Sequence, residues 1–241
     1  MKLKELQEAA YQANVDIVKH QLVLLTWGNA SAYDKDLGVM AIKPSGVNYE
    51  VMKPSDMVLL DVETGKVIEE GALNPSSDTP THLELYRSFA NVGGIVHTHS
   101  HYATCAAQAN HDIICLGTTH ADHFYGDIPV TRKMTQSEIG QDYEANTGKV
   151  IVETFNARSI DPGYVPGVIV CSHGPFSWGP TVSSAVENAV VMEESAKMMV
   201  HTALLSYPLV PMQQDLVDKH FLRKHGAGAY YGQNSDSSSD R

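Results

Sequence analysis

Apolar residues recur at Leu3, Leu6, Ala10, Ala13 and Ile17, the three-to-four spacing of one helix face, and predict an amphipathic helix from Leu3 to Lys19. Val39–Ile42 and Met57–Val62 are short apolar runs of strand length. After the second, Glu63-Thr64-Gly65-Lys66 turns the chain into Val67-Ile68, which predicts a hairpin. Thr79-Pro80 marks a helix start with Thr79 as cap, since proline fits the first turn. Gly94–His99, Val150–Phe155 and Gly167–Cys171 read as further strands. Ser184-Ala185-Val186-Glu187 has the spacing of a capping box opening a long helix to about Leu205, closed by Pro208 and Pro211. A last helix, 213–225, ends at Gly226, a residue suited to the left-handed position after a helix.

Helices and strands alternate while tight turns join some strands. The expected fold is therefore α/β, with an at least partly antiparallel sheet between helix layers. No repeat or interdomain linker interrupts the chain, so residues 1–233 read as one domain and the low-complexity stretch 234–241 as a disordered tail.

The length of 241 residues suffices for one sizeable core, and 43% hydrophobic against 19% charged residues is globular composition. A net charge of −11 excludes binding nucleic acid by bulk attraction. No apolar run approaches the roughly 20 residues of a membrane helix, and Met1–Glu8 lacks the apolar core of a signal peptide. Three cysteines without zinc-finger spacing fit a reducing, cytoplasmic compartment. Twelve histidines beside only 17 Lys+Arg shift the picture toward an enzyme, because histidine is the commonest metal ligand and a ready proton carrier.

His97-Thr98-His99 is the sharpest local pattern. On a strand both imidazoles project from one face, and two rings so held can share a metal. His173, at the end of another apolar run, would complete a three-histidine set, although no sequence rule brings it to the pair. Ser76-Ser77-Asp78 precedes a helix N-terminus, where N–H groups favour an anion. Asp78 could cap that helix or ligate a metal. Trp27-Gly28-Asn29-Ala30-Ser31 and Lys43-Pro44-Ser45-Gly46 read as small-polar turns able to present N–H groups to phosphate. No nucleotide P-loop or dinucleotide fingerprint is present. Asp122 and Tyr231 belong to types that exchange protons.

Taken in order, Thr26–Ser31, Ile42–Val47, Pro75–His82, Gly94–Ser100, Gly117–Asp122, Ser172–Phe176, Lys219–Gly226 and Ala229–Gln233 resemble the class II sugar-phosphate aldolase/epimerase family over nearly the whole chain. The resemblance implies a central, largely antiparallel sheet flanked by helices on both faces, assembled as a homotetramer with active sites between adjacent subunits. It implies a divalent metal, usually Zn2+ with Mn2+ or Co2+ as substitutes, on Asp78, His97, His99 and His173. It places phosphate on Gly28, Asn29, Ser45, Gly46, Ser76 and Ser77, with Lys43 assisting, and an acid/base pair on Asp122 and a neighbouring subunit's Tyr231.

The activity implied is interconversion of L-ribulose 5-phosphate and D-xylulose 5-phosphate, as in L-arabinose catabolism, by cleaving and remaking C3–C4. Two other readings stand beside it. One is an aldolase of the L-fuculose-1-phosphate kind, which carries glutamate where Asp78 stands here. The other is a catalytically silent aldolase-like scaffold.

Overall fold

The computed structural model describes residues 2–226 and residue 229. Among these are eight α-helices and six strands, in the order α1 (Leu3–Lys19), β1 (Gly28–Asp34), β2 (Val39–Ile42), β3 (Val58–Asp61), α2 (Thr79–Ser88), β4 (Gly94–Thr98), α3 (His101–Ala109), α4 (Thr118–Ala121), α5 (Gln136–Gly140), α6 (Tyr143–Arg158), β5 (Gly167–Val170), β6 (Gly174–Gly179), α7 (Val182–Leu205) and α8 (Gln214–His225). No helix among the described residues is long and apolar enough to cross a membrane.

The strands form one sheet, β3-β2-β1-β4-β6-β5, in which every neighbouring pair is antiparallel. Strand alternation splits its side chains between two cores. Met40, Ile42, Ile95, Phe176 and Trp178 face a cluster completed by α2, α3, α6 and the later part of α7. Val39, Ala41, Ala30, Ala32 and Val96 face the other way, against α1 and the start of α7. The sheet is thus covered on both sides, as expected.

Several local expectations change. Val150–Phe155 is the C-terminal part of α6, not a strand. Its β-branched run suits either state, and packing against α2 decides for helix; a Cβ on Gly148 would lie 2.6 Å from Glu84 Cβ. The small-polar segment 28–31 is not a free turn but the start of central strand β1. Beyond Lys66 the hairpin shrinks to a single bridge, Leu60 to Val67. Asp78, not Thr79, occupies the position before α2, with no side-chain cap bond. Helix α7 begins three residues early, its cap being Thr181, whose hydroxyl accepts from Ser184 N–H. Gly226 ends α8 with φ −79°, so it is not in the left-handed conformation. The proposed tail, 234–241, lies outside the described residues.

Candidate metal centre and anion groove

Four segments converge where β1, β4 and β6 lie side by side. The β1–β4 register sets Asn29 opposite His97, and the β4–β6 register sets His97 opposite Phe176. His97 is buried and stacks on Phe176, ring centroids 4.1 Å apart at 17°. Its Nδ1 lies 2.9 Å from the Pro175 carbonyl, a contact in which the ring donates, leaving Nε2 bare for a ligand.

His99 follows just past the end of β4. The chain then enters α3, whose first N–H groups, from Tyr102 and Ala103, donate to the Glu193 carboxylate of α7 at 2.8 and 2.9 Å. This anchor fixes the exit of the His-x-His segment. His173 sits in the three-residue turn between β5 and β6, after Ser172 at φ +59°. The turn can rest on β4 because Gly174 has no side chain; a Cβ there would meet Thr98 O at 2.7 Å.

The result is a cluster in which one nitrogen from each of His97, His99 and His173 lies within 4.8 Å of the others. Burial, with neighbouring histidines adding to it, pushes His173 down to about 4, so its ring is neutral near pH 7. Three imidazole nitrogens at this spacing fit a divalent ion. The Tyr143 hydroxyl approaches His173 Nδ1 at 3.3 Å.

Asp78 lines the same groove, but its carboxylate is not part of that tight cluster. Instead Oδ2 accepts from Asn29 Nδ2 at 2.8 Å. Burial acts to raise its pKa, yet the nearby imidazoles and the Asn29 bond outweigh it and hold the carboxyl below its ordinary value.

The groove, about 440 Å³, is lined by all the residues expected for phosphate: Gly28, Asn29, Lys43, Ser45, Gly46, Ser76 and Ser77. Asn29 also donates to Ser76 Oγ at 3.1 Å, so its amide ties the Ser76 side of the groove to Asp78. Lys43 is buried, its ammonium 2.7 Å from Val47 O and above the Tyr49 ring, and burial pulls it down to about 8. The two small-polar segments meet because Ser45 N–H donates to Asn74 O and Ser76 N–H to Lys43 O.

Asp122 is elsewhere. It follows α4 and faces α8, accepting from Arg223 at 2.9 Å and meeting His220 Nδ1 at 3.0 Å and Lys224 at 3.5 Å. Burial tends to raise its pKa, but these partners win and hold it below the ordinary value. Asp122 therefore does not line the groove of its own chain. Tyr231 lies outside the described residues. Sequence reasoning missed Tyr143 and Glu144, which line the groove from the start of α6. No motif announces them, and the strand expected at Val150–Phe155 hid the helix that carries them.

A profile of the class II aldolase and adducin N-terminal domain family matches residues 8–200. The L-ribulose-5-phosphate 4-epimerase UlaF of Salmonella paratyphi C is 51% identical over 231 residues, spanning 96% of this chain and all of that one. The UlaF of Salmonella choleraesuis matches to the same extent. Among solved structures, an L-fuculose 1-phosphate aldolase superposes with TM-score 0.76 at 23% identity, over 91% of this chain and 96% of that chain. The L-fuculose-1-phosphate aldolase of Thermus thermophilus does so with TM-score 0.65 at 22% identity, over 84% and 98%. These two likenesses speak to the fold.

Proposed function

The chain belongs to the class II aldolase and adducin N-terminal domain family, and from that premise we propose that it is a metal-dependent 4-epimerase interconverting L-ribulose 5-phosphate and D-xylulose 5-phosphate. The observation that carries this reading is the 51% identity to a 4-epimerase over nearly the whole of both chains, with the histidine cluster and anion groove side by side.

Inversion at C4 cannot proceed by removing the C4 proton, which is not adjacent to the C2 carbonyl. Loss of the proton on the C4 oxygen instead drives its electron pair into a carbonyl as C3–C4 breaks. The bond's electrons move to C3 and C2, giving the enediolate of dihydroxyacetone and glycolaldehyde phosphate. When bound, a divalent ion supplies Lewis-acid stabilisation of that developing charge; the three nitrogens fit Zn2+, with Mn2+ or Co2+ as alternatives, and in this reading Asp78 joins them as the fourth ligand. Asn29, Ser45-Gly46 and Ser76-Ser77 retain the aldehyde by its phosphate while it turns, with Lys43 close by. Re-addition to the opposite face and return of the proton to the C4 oxygen complete the inversion.

Asp122 and Tyr231 are the proposed acid and base at that oxygen. Asp122 packs on α8, away from the groove of its own chain. In this reading they reach the groove of a neighbouring subunit in a homotetramer, in the cytoplasm. The shorter side chain of Asp78, in place of glutamate, favours permanent ligation over work as a mobile base, hence epimerase over aldolase.

Purified protein supplied with Zn2+ and L-ribulose 5-phosphate should form D-xylulose 5-phosphate without accumulating aldehyde. Free glycolaldehyde phosphate as the main product would identify an aldolase instead, and no turnover by metal-loaded protein would leave a scaffold.

A further inference from the structure

The groove lies in a fork of the sheet. Strands β1 and β2 pair from Asp34 opposite Val39 to Ser31 opposite Ile42, and continuing that register would set Lys43 opposite Ala30. The pairing stops there. Lys43 instead turns its carbonyl to the Ser76 N–H, Pro44 bridges to Pro75, and Ser45 N–H donates to Asn74 O. Residues 43–45 thus leave β1 for residues 74–76, while β1 stays paired with β4 as far back as Gly28. Asn29, Ser45, Gly46, Ser76 and Ser77 line the opening.

Such a split deprives β1 of a neighbouring strand. Alternate residues of an antiparallel strand direct both backbone polar groups to the same neighbour. Tyr33 N–H donates to Gly93 O on the β4 side, so Ala32, Ala30 and Gly28 face the β2 side. Past the fork, side chains replace the strand. The Asn14 amide of α1 accepts from Ala30 N–H and donates to Ala30 O, both at 2.9 Å, the two bonds Lys43 would otherwise make. It also donates to Ala10 O at 2.8 Å, so three bonds fix its orientation, and it is wholly buried. Tyr49 Oη donates to Gly28 O at 2.7 Å, and the Lys43 ammonium rests over the Tyr49 ring. Neither Asn14 nor Tyr49 lines the groove itself.

We propose that Asn14 and Tyr49 are positioning residues for the groove: they stand in for the missing strand, hold the fork open and so present Asn29 to the phosphate of the substrate. The inference rests on the phosphate reading above. A buried N–H and C=O left unpaired at Ala30 must find partners, and the partner that the register offers is Lys43. Loss of the Asn14 amide therefore favours zipping of β1 to β2. That withdraws residues 43–45 from residues 74–76 and closes the opening. The Asn29 amide, which spans the fork to Ser76 Oγ and Asp78 Oδ2, is displaced with it.

The test uses the full chain. It measures the dissociation constant of inorganic phosphate by phosphorus NMR, and KM and kcat for L-ribulose 5-phosphate with metal-loaded protein. Asn14→Ala should weaken phosphate binding and raise KM about 10- to 100-fold, the scale of a site displaced by about an ångström, with kcat falling less. Tyr49→Phe keeps the ring beneath Lys43 and should raise both constants roughly three- to tenfold; it carries the test if Asn14→Ala does not fold. Gln7→Ala is the control. Gln7 is a buried amide of the same helix, donating to Met57 O at 3.0 Å and making no contact with β1. Gln7→Ala should lose stability with phosphate affinity unchanged. A merely structural role for Asn14 and Tyr49 predicts that their variants behave as the control does, and that result overturns the proposal while the phosphate reading stands. Affinity falling in step with thermal stability in all three variants would overturn it equally. Failure of the unaltered protein to bind phosphate or the sugar phosphate would overturn the phosphate reading and this inference with it.

Discussion

At the residue scale the molecule keeps several imidazoles away from water, and their neutrality has a price in acid. Burial pushes His82 to about 3 and His120 to about 4, while neighbouring histidines join burial in bringing His173 to about 4, all from an ordinary value of 6.5. As pH falls through about 6.5 the unfolded chain gains protons that the folded chain refuses, so unfolding is promoted. Stability of the metal-free protein should therefore fall between about pH 6.5 and 4. The carboxyls held below their ordinary values, such as Asp122 and Glu138, add their own loss only further into acid. His120 isolates one contributor, since its Nε2 serves the Gly126 carbonyl at 2.7 Å, a contact that a Gln amide can keep without titrating. His120→Gln should remove up to one proton, about 1.4 kcal/mol per pH unit, from the slope of unfolding free energy in that window. Denaturant titrations at a series of pH values check this; an identical slope in the variant would refute the assignment.

At the element scale the critical joint is the start of β4 against the start of α7. Added Cβ atoms at Gly93 and Gly94 would each meet backbone at 2.2 Å, from Pro180 O and Val182 Cα. Gly94→Ala should thus cost roughly 1–3 kcal/mol through overpacking and displace the strand that carries His97 three residues on. A urea midpoint equal to that of the unaltered protein would contradict the fit. This joint also shows where sequence reading succeeds. Helix α1 was legible to the residue, because one apolar stripe meets one core face, and β2 was legible as a compact apolar run. Strands β1 and β6 were not, because Gly28–Ser31 is small and polar and Gly174–Gly179 begins Gly-Pro. Their strand character comes from neighbours on both sides in a covered sheet, which local propensity does not encode. The site divides the same way. His97 and His99 announce themselves by spacing, whereas the arrival of His173 depends on the long-range β4–β6 register and on a glycine that lets the turn approach.

For the whole molecule, one chain holds the histidine cluster and the adjoining groove in one place and the Asp122 cluster in another. At the end of α7 and in the segment before α8 it also exposes large apolar side chains: Leu204, Leu205, Tyr207 and Val210 are 81%, 89%, 83% and 77% accessible. Such exposure at closely spaced positions favours burial against another protein surface. Subunits arranged in a ring would let the α4–α8 side of each chain complete the groove of the next. If so, inactive chains should rescue one another in a fixed pattern. Hybrids of His97→Asn with Tyr231→Phe should recover activity, because some interfaces pair an intact metal site with an intact tyrosine; random mixing caps this at about a quarter of sites. His97→Asn with Asp122→Asn should recover likewise. Asp122→Asn with Tyr231→Phe should not, since both losses lie on the donating side and every interface then lacks one of the two groups. The comparison is made on hybrids verified by mass, with each parent assayed alone. Rescue in the third pairing but not in the second would place Asp122 in the same chain as the metal it serves. An absence of rescue in all three would confine each site to a single subunit.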